Sequence, residues 1–420
     1  AMTSKKKNPW EEHANELTTL GLLGAGFMGC GIAEVTLGKG IDIVLKDINP
    51  KTIQSAKKLL WASLSKKVKR KSLSKIEAKN AIASVKGQLD YNYFNKVDVL
   101  VEAVFEDMGM KQKILAEVEK FTKNDFIFAT NTSALSIEEI GKFAKHPENV
   151  IGLHYFSPVS KMPLLEIVKT PVTSASTIAT CYNLGLKQGK TTIVVNNGPG
   201  FYVNRILAPY LNEAMLLLEE GAGIIEIDSV MKQYGFPVGP FALLDEVGID
   251  VGAHVMTGDL AVMFKKRDGA LMSKGLLLMN DAGYKGRKNK RGFLAYDSKG
   301  KKRRGKFNPA VGQFFDNPRP KKFKSVEVQL RLSLLLLNEA VLCLQEGIIE
   351  SVEDGDLGAI FGWGFAPYTG GPMSYIDTVG LENFVRTADN LAQRFGSRFA
   401  PPKSFREMAD KGETLYKAAA

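Results

Sequence analysis

The sequence predicts a parallel α/β sheet in its first half and an all-helical second half built from two copies of one unit. Three observations carry this. From Thr19 to Val195, short apolar runs alternate with longer stretches of helical periodicity, which is how a parallel sheet with crossover helices reads. The strand signal then stops at Asn197-Gly198-Pro199-Gly200. Beyond it, Asn212-Glu213-Ala214, Glu220-Gly221, Gly239-Pro240 and Leu244-Asp245-Glu246-Val247-Gly248 return in the same order as Asn338-Glu339-Ala340, Glu346-Gly347, Gly371-Pro372 and Ile376-Asp377-Thr378-Val379-Gly380. Chance supplies one such match in helical sequence, not an ordered series.

The strands are expected at 19–23, 42–45, 97–102, 126–129, 150–154 and 191–195, with helices at 26–38, 110–121 and 174–188 among those filling the gaps. The chain then divides into a tail (1–15), an α/β domain (16–197), a first helical copy (198–298), a basic linker (299–324) and a second helical copy (325–420). A length of 420 residues exceeds what one hydrophobic core organises, in keeping with several domains. The opening Ala1-Met2-Thr3-Ser4 reads as an expression remnant ahead of a Lys-rich tail.

Composition excludes several classes. With 45% hydrophobic and 24% charged residues the chain has an ordinary globular balance, and no apolar run reaches the eighteen or so residues of a membrane span. Cys30, Cys181 and Cys343 are odd in number and far apart, without C-x-x-C spacing, which speaks for a reducing compartment and against zinc, and no metal site is expected. The net charge of +11 asks for a partner rich in phosphates or other anions. The basic residues gather in 57–79 and 299–324, neither of which carries the interleaved aromatics of nucleic-acid modules, so no nucleic acid is expected. The second stretch, rich in Gly and Pro, reads as a solvated linker.

Chemistry is concentrated in two places. Gly24-Ala25-Gly26-Phe27-Met28-Gly29 follows a predicted strand and opens a predicted helix, and Asp47 ends the next strand eighteen residues after Gly29. Glycines here permit a tight turn and close approach of backbone to a pyrophosphate at the positive end of a helix, the Rossmann-like arrangement. A carboxylate at Asp47 accepts from a ribose 2′-hydroxyl and repels a 2′-phosphate, favouring NAD over NADP, although Lys46 and Lys51 are near enough in sequence to soften the repulsion. The second place is Gly152-Leu153-His154-Tyr155-Phe156-Ser157-Pro158, where a histidine closes a predicted strand at the end that faces the ligand crevice of an open α/β sheet. Glu166 stands twelve residues on, and a strand, turn and returning strand bring it beside the imidazole. A neutral imidazole accepts a hydroxyl proton while hydride leaves the same carbon, and the carboxylate fixes its tautomer.

These segments, with Val101-Glu102-Ala103-Val104-Phe105-Glu106-Asp107, Asn131-Thr132-Ser133-Ala134-Leu135 and Gly198-Pro199-Gly200-Phe201-Tyr202-Val203-Asn204-Arg205, resemble the 3-hydroxyacyl-CoA dehydrogenase family from Thr19 to the C-terminus. The His154 segment and the second helical copy are similar to the dehydrogenase half of multifunctional fatty-acid oxidation enzymes of the trifunctional α-subunit type, without their enoyl-CoA hydratase half. One departure is Ser157, where the monofunctional short-chain branch usually has Asn and the multifunctional branch often has Ser.

The resemblance implies NAD-dependent oxidation of a 3-hydroxyacyl-CoA to a 3-oxoacyl-CoA in β-oxidation, with His154 as base and Glu166 as its partner. It implies Ser133 and Asn204 near the substrate oxygen and nicotinamide, Gly24, Gly26, Phe27, Met28, Gly29 and Asp47 around the cofactor, and Glu106 and Lys111 at its ribose. Coenzyme A phosphates would meet the basic helix of 57–71 through Ser63, Lys66, Lys67, Lys69 and Arg70, against the alternative of a solvated helix face. A linked hydratase domain or a thiolase subunit is the implied partner, the chain itself is monomer or homodimer, and the implied location is the mitochondrial matrix, with peroxisome and bacterial cytoplasm as alternatives. Two other functions stay open: a catalytically silent NAD-binding relative, and a hydroxy-acid dehydrogenase of the 6-phosphogluconate dehydrogenase-like class.

Overall fold

The computed structural model describes residues 7–315 and 320–418, and the chain divides into two compact units, Ala1–Gly198 and Pro199–Ala420. In the first, β1 (Thr19–Leu23), β2 (Asp42–Lys46), β3 (Val85–Gln88), β4 (Val99–Glu102), β5 (Ile127–Thr130), β6 (Val150–Tyr155), β7 (Leu164–Lys169) and β8 (Thr191–Asn196) form one sheet. Its order is β3-β2-β1-β4-β5-β6-β7-β8, and neighbours are parallel except β6 and β7. The order reverses at β1 and β4, which makes the ends of these two strands the natural ligand crevice. The central strands read as continuous apolar runs because helices cover both faces. Val99, Leu100, Val101 and the β6 segment are all buried.

Each of the six expected strands is present within a few residues. β3 was not expected, since Val-Lys-Gly-Gln at a sheet edge has no apolar run, and β7 is the returning strand that Glu166 required. The helices are α1 (Phe27–Thr36), α2 (Pro50–Lys69), α3 (Lys75–Ala83), α4 (Met108–Val118), α5 (Ile137–Gly141) and α6 (Ala175–Lys187). Their starts are set locally: Asn49, Asp107, Ser136 and Ser174 each accept a first-turn N–H, and Ser74 with Glu77 forms a reciprocal capping box. α1 has no such side chain at its N-cap, Gly26.

The 1–15 tail needs correction over its described part, because Asn8 is buried and donates to Ala179 O (3.0 Å) and Asn183 Oδ1 (2.9 Å), anchoring 7–15 on α6. Ala1–Ser4, read as an expression remnant, lies outside the described residues.

The second unit starts with α7 (Val203–Glu219), α8 (Ile224–Tyr234), α9 (Pro240–Val247), α10 (Ile249–Val255), α11 (Asp259–Lys265) and α12 (Gly275–Asp281). It is not wholly helical. β9 (Leu294–Tyr296) pairs antiparallel with β10 (Lys302–Phe307), so the 299–324 linker is in part a ribbon strand, and its Val311, Phe315 and Phe323 are buried. The stretch read as a solvated linker from its Gly and Pro content thus includes a ribbon strand and buried aromatics, and residues 316–319 of it lie outside the described residues. After it come α13 (Ser325–Gln345), α14 (Val352–Trp363), α15 (Pro372–Val379), α16 (Leu381–Phe395), α17 (Lys403–Asp410) and α18 (Leu415–Ala418).

The recurring landmarks have matching structural tasks. Asp228 accepts the N–H groups of Phe241 and Ala242 at the start of α9, and Asp356 accepts those of Met373 and Ser374 at the start of α15. Gly239 and Gly371 precede these helices because a Cβ at either would lie 2.3 to 2.4 Å from the capping aspartate. Asp245 holds the N–H groups of Phe293 and Leu294, and Asp377 those of Leu415 and Tyr416. Between α7 and α13 the exchange is mutual. Arg205 donates to Glu339 and Glu346, and Arg331 donates to Glu213 and Glu220, with both guanidinium groups buried.

Candidate active site

His154 and Glu166 are register partners of the antiparallel pair β6–β7, and their side chains lie on the same side of the sheet. His154 Nδ1 is 2.6 Å from Glu166 Oε2, and both residues are buried. A carboxylate at Nδ1 holds the neutral ring in the tautomer whose Nε2 exchanges protons, and it favours the imidazolium formed on proton uptake. Phe156 packs against the ring at 4.3 Å between centroids. The N–H of Tyr155 is taken by Asn131 Oδ1 (2.9 Å), which ties the histidine's strand end to the end of β5.

The glycine loop has the form a pyrophosphate needs. Gly24 has φ +96°, and a Cβ there would be 2.6 Å from Ala103 O; at Gly29 a Cβ would be 1.8 Å from Gly24 O, so the loop closes on itself only with glycine. Gly26 differs: a Cβ there meets no protein atom within 4 Å and would fill the space in front of the α1 N-terminus. Asp47 accepts the Ala25 N–H at Oδ2 (2.8 Å) and the Asn49 N–H at Oδ1 (2.9 Å), so it shapes the loop while each oxygen keeps a second acceptor position. Phe27, Ile48 and Phe105 are left exposed and Met28 is half-buried, apolar surface in keeping with a dinucleotide's flat rings. The residues therefore fit the cofactor. Lys46, considered as a counter-charge for a 2′-phosphate, lies over the Tyr91 ring instead, 4.3 Å from its centroid.

A carboxylate cluster closes the ends of β4 and β5. Glu106 accepts from Thr132 Oγ1 (2.5 Å) and from the Ser133 N–H (2.9 Å), which brings Ser133 to the same edge. Lys111 corrects the expectation of a direct ribose contact: it is fully buried, and its Nζ donates to both oxygens of Glu102 (2.9 and 2.8 Å) and stands 3.4 Å from Glu106. Glu102 also accepts from Thr130 Oγ1 and the Val104 N–H. Lys111 thus balances a buried carboxylate and steers Glu106. Sequence reasoning missed Glu102, Asn131 and Thr132; a carboxylate ending the apolar run Val-Leu-Val was the available signal for the first.

On α2, Lys66, Lys67, Lys69 and Arg70 are exposed in or just after the last turn, where cations also suit the helix dipole. Ser63 is engaged otherwise, donating to Glu34 Oε1 (2.5 Å). Asn204 belongs to the second unit, in the first turn of α7. A groove of about 820 Å³ in that unit, lined by Phe323, Lys324, Leu330, Arg386 and Arg394 among others, contains no candidate site residue. Among the described residues no His, Cys, Asp and Glu cluster could hold a metal ion, and no helix is long and apolar enough to cross a membrane.

A switch-point glycine loop with an acidic strand end, beside a buried histidine–carboxylate pair, defines an NAD-dependent oxidoreductase. Residues 19–198 match the model of the 3-hydroxyacyl-CoA dehydrogenase NAD binding domain, and residues 200–296 that of the same family's C-terminal domain. The chain belongs to the 3-hydroxyacyl-CoA dehydrogenase family, which sets aside the 6-phosphogluconate-like alternative. It is similar to the (S)-3-hydroxybutyryl-CoA dehydrogenase of Ralstonia eutropha, at 35% identity and TM-score 0.64 over 67% of this chain and 100% of that one. It is also similar to a 3-hydroxybutyryl-CoA dehydrogenase of Escherichia coli K12, at 25% identity and TM-score 0.80 over 95% of this chain and 99% of that one. The dehydrogenase part of multifunctional enzyme 1 from C. elegans matches at 26% identity and TM-score 0.65, over 94% of this chain and 90% of that one.

Proposed function

We propose that this protein oxidises (S)-3-hydroxyacyl-CoA thioesters to 3-oxoacyl-CoA with NAD+, as a step of fatty-acid β-oxidation. The observation that carries the reading is the buried contact between His154 and Glu166 at the C-terminal end of β6. NAD+ bound at the glycine loop supplies the hydride acceptor. His154 Nε2 takes the C3 hydroxyl proton as hydride leaves C3, and Glu166 stabilises the resulting imidazolium. Ser133 and Asn204 orient the substrate oxygen, Glu106 holds the cofactor side of the site, and the exposed cations closing α2 meet the coenzyme A phosphates.

The second helical half is read as a repeat of the first that serves packing. The mutual Arg205–Glu339 and Arg331–Glu213 pairs support this, as does the Ralstonia enzyme, whose full length corresponds to only two thirds of this chain. In homodimers an interface is self-complementary, and two copies in one chain supply both sides of it internally. A linked hydratase or a thiolase subunit, in the mitochondrial matrix, is the setting such chemistry fits.

The test is steady-state oxidation of NADH with acetoacetyl-CoA, followed by a series of 3-oxoacyl-CoA lengths from C4 to C16. Turnover that requires both the thioester and His154 supports the reading. A purified, folded chain that binds NADH and turns over no thioester in the series sinks it.

A further inference from the structure

The β6–β7 connection, residues 156–163, touches both the histidine and the helix that the cofactor loop opens. Its first residue, Phe156, lays its ring on the His154 imidazole at 4.3 Å between centroids. Three residues on, Val159 is buried against α1: a Cβ at Gly31 would lie 2.9 Å from Val159 Cβ, so glycine lets the two come together. The connection is irregular backbone, closed on itself where the N–H groups of Lys161 and Met162 both reach Pro158 O (2.9 and 3.0 Å).

The segment between α6 and β8 holds this connection from outside. Tyr155 Oη donates to Gln188 Oε1 (2.8 Å) and the Thr191 N–H to Pro163 O (2.8 Å), which ties down both ends. Lys190 reaches the middle. Its buried ammonium donates to Val159 O and to Met162 O (2.7 Å). Among the described residues no carboxylate pairs with that charge, and burial alone is what lowers its pKa. Taking an unpaired ammonium out of water costs free energy that an apolar side chain in the same place would not. What the ammonium supplies instead is two directed donors on one atom, matched to two carbonyls of the turn.

We propose that Lys190 is a positioning residue for the dehydrogenase reaction: by holding the middle of the β6–β7 connection it keeps the Phe156 ring against the His154 imidazole, and so the base in its working orientation. Lys190 acts through Phe156 and touches no substrate, and its role rests on the reading of His154 as the base. Misplacing a reacting group by about 1 Å costs on the order of 10²-fold in rate, so a connection released at its middle is kinetically visible.

The experiment compares Lys190→Met with Asp98→Asn in the intact chain. Asp98 accepts the Thr18 and Thr19 N–H groups and the Lys123 ammonium at the N-terminal ends of β1 and β4, the sheet edge away from the crevice, so its loss lowers stability at a distance from the site. The readouts are kcat with acetoacetyl-CoA, NADH affinity, thermal midpoint and the His154 ring-proton resonances, which His154→Gln identifies among the chain's four histidines. The expected result for Lys190→Met is a kcat loss of at least about tenfold, with NADH affinity changed by less than about twofold. The His154 resonances move as the ring current of Phe156 is withdrawn. Asp98→Asn keeps kcat and leaves those resonances in place. Lys190→Met adds no further loss to Phe156→Ala, because it acts through that ring. Should Lys190→Met fail to fold, Lys190→Gln, which keeps a neutral donor, is read by the same criteria. An unchanged kcat, an equal loss in Asp98→Asn, unmoved His154 resonances, or losses that multiply with Phe156→Ala overturn the inference. Full activity of His154→Gln instead overturns the reading of His154 on which it rests.

Discussion

His154 and Glu166 face each other as direct partners across β6 and β7, both buried, with Nδ1 and Oε2 2.6 Å apart. Two side chains joined in this way act as one unit. His154→Gln should lower kcat by about 10² to 10⁴-fold while leaving NADH affinity nearly unchanged, since the imidazole handles the substrate proton and does not hold the dinucleotide. Glu166→Gln should also lower kcat, and the double variant should be little worse than His154→Gln alone. Losses that multiply in the double variant would place Glu166 in some other role.

Gly26 and Gly29 belong to one loop and should respond in opposite ways to an added methyl group. Gly26→Ala places its Cβ where no protein atom lies within 4 Å, so the thermal midpoint should hold while NADH affinity falls by about tenfold or more. Gly29→Ala drives its Cβ to 1.8 Å from Gly24 O, so folding itself should suffer. Equilibrium NADH binding and thermal melts on both variants decide the matter. A Gly26→Ala protein that binds NADH as the unchanged chain does would remove the pyrophosphate from this loop.

Lys111 distinguishes a cofactor contact from a buried counter-charge. Its ammonium is sealed against Glu102, so Lys111→Met should cost about 3–5 kcal/mol of stability in denaturant unfolding, as is usual when one partner of a buried pair is removed. A variant of undiminished stability that has lost only NADH affinity would restore the direct ribose contact.

Lys190 sets a pH dependence. Its ammonium is buried and donates to the carbonyls of Val159 and Met162 in the β6–β7 connection, and burial lowers its pKa from 10.5 to about 8. Between those values the unfolded chain binds the proton and the folded chain does not, so this group's contribution to stability rises with pH; below about 8 both states are protonated and the contribution is level. Unfolding midpoints of the unchanged protein and of Lys190→Gln, measured at roughly pH 7.5 and 9.5, should therefore move apart in favour of the lysine as pH rises. A difference that is constant or shrinks would show that Lys190 keeps an ordinary affinity for its proton.

Much of this protein was legible in sequence because the decisive signals are local. Strand runs bounded by turns, the glycine loop with Asp47 behind it, and a histidine closing an apolar run all follow from short-range sterics and periodicity. The paired landmarks were legible for a related reason: Gly239 and Gly371 each leave room for the aspartate that caps the helix they precede. The cation-rich ribbon was misread as linker, since Gly and Pro mark the turns that flank a short strand as readily as a solvated segment.

The sequence by itself determined the class of chemistry, since residue types at fixed spacing name the acid–base group and the phosphate loop. Only the tertiary structure decided which charges are sealed against each other. Lys111 reads as a cofactor contact along the chain and is a buried counter-ion in space, because Glu102 reaches it from the neighbouring strand end. Glu339 carries no local sequence signal of a charge partner, yet it grips Arg205 from 134 positions away in the chain. The physical reason is common to both. The energy of a buried charge is set by the partner that desolvation forces upon it, and that partner is chosen by packing rather than by proximity in sequence.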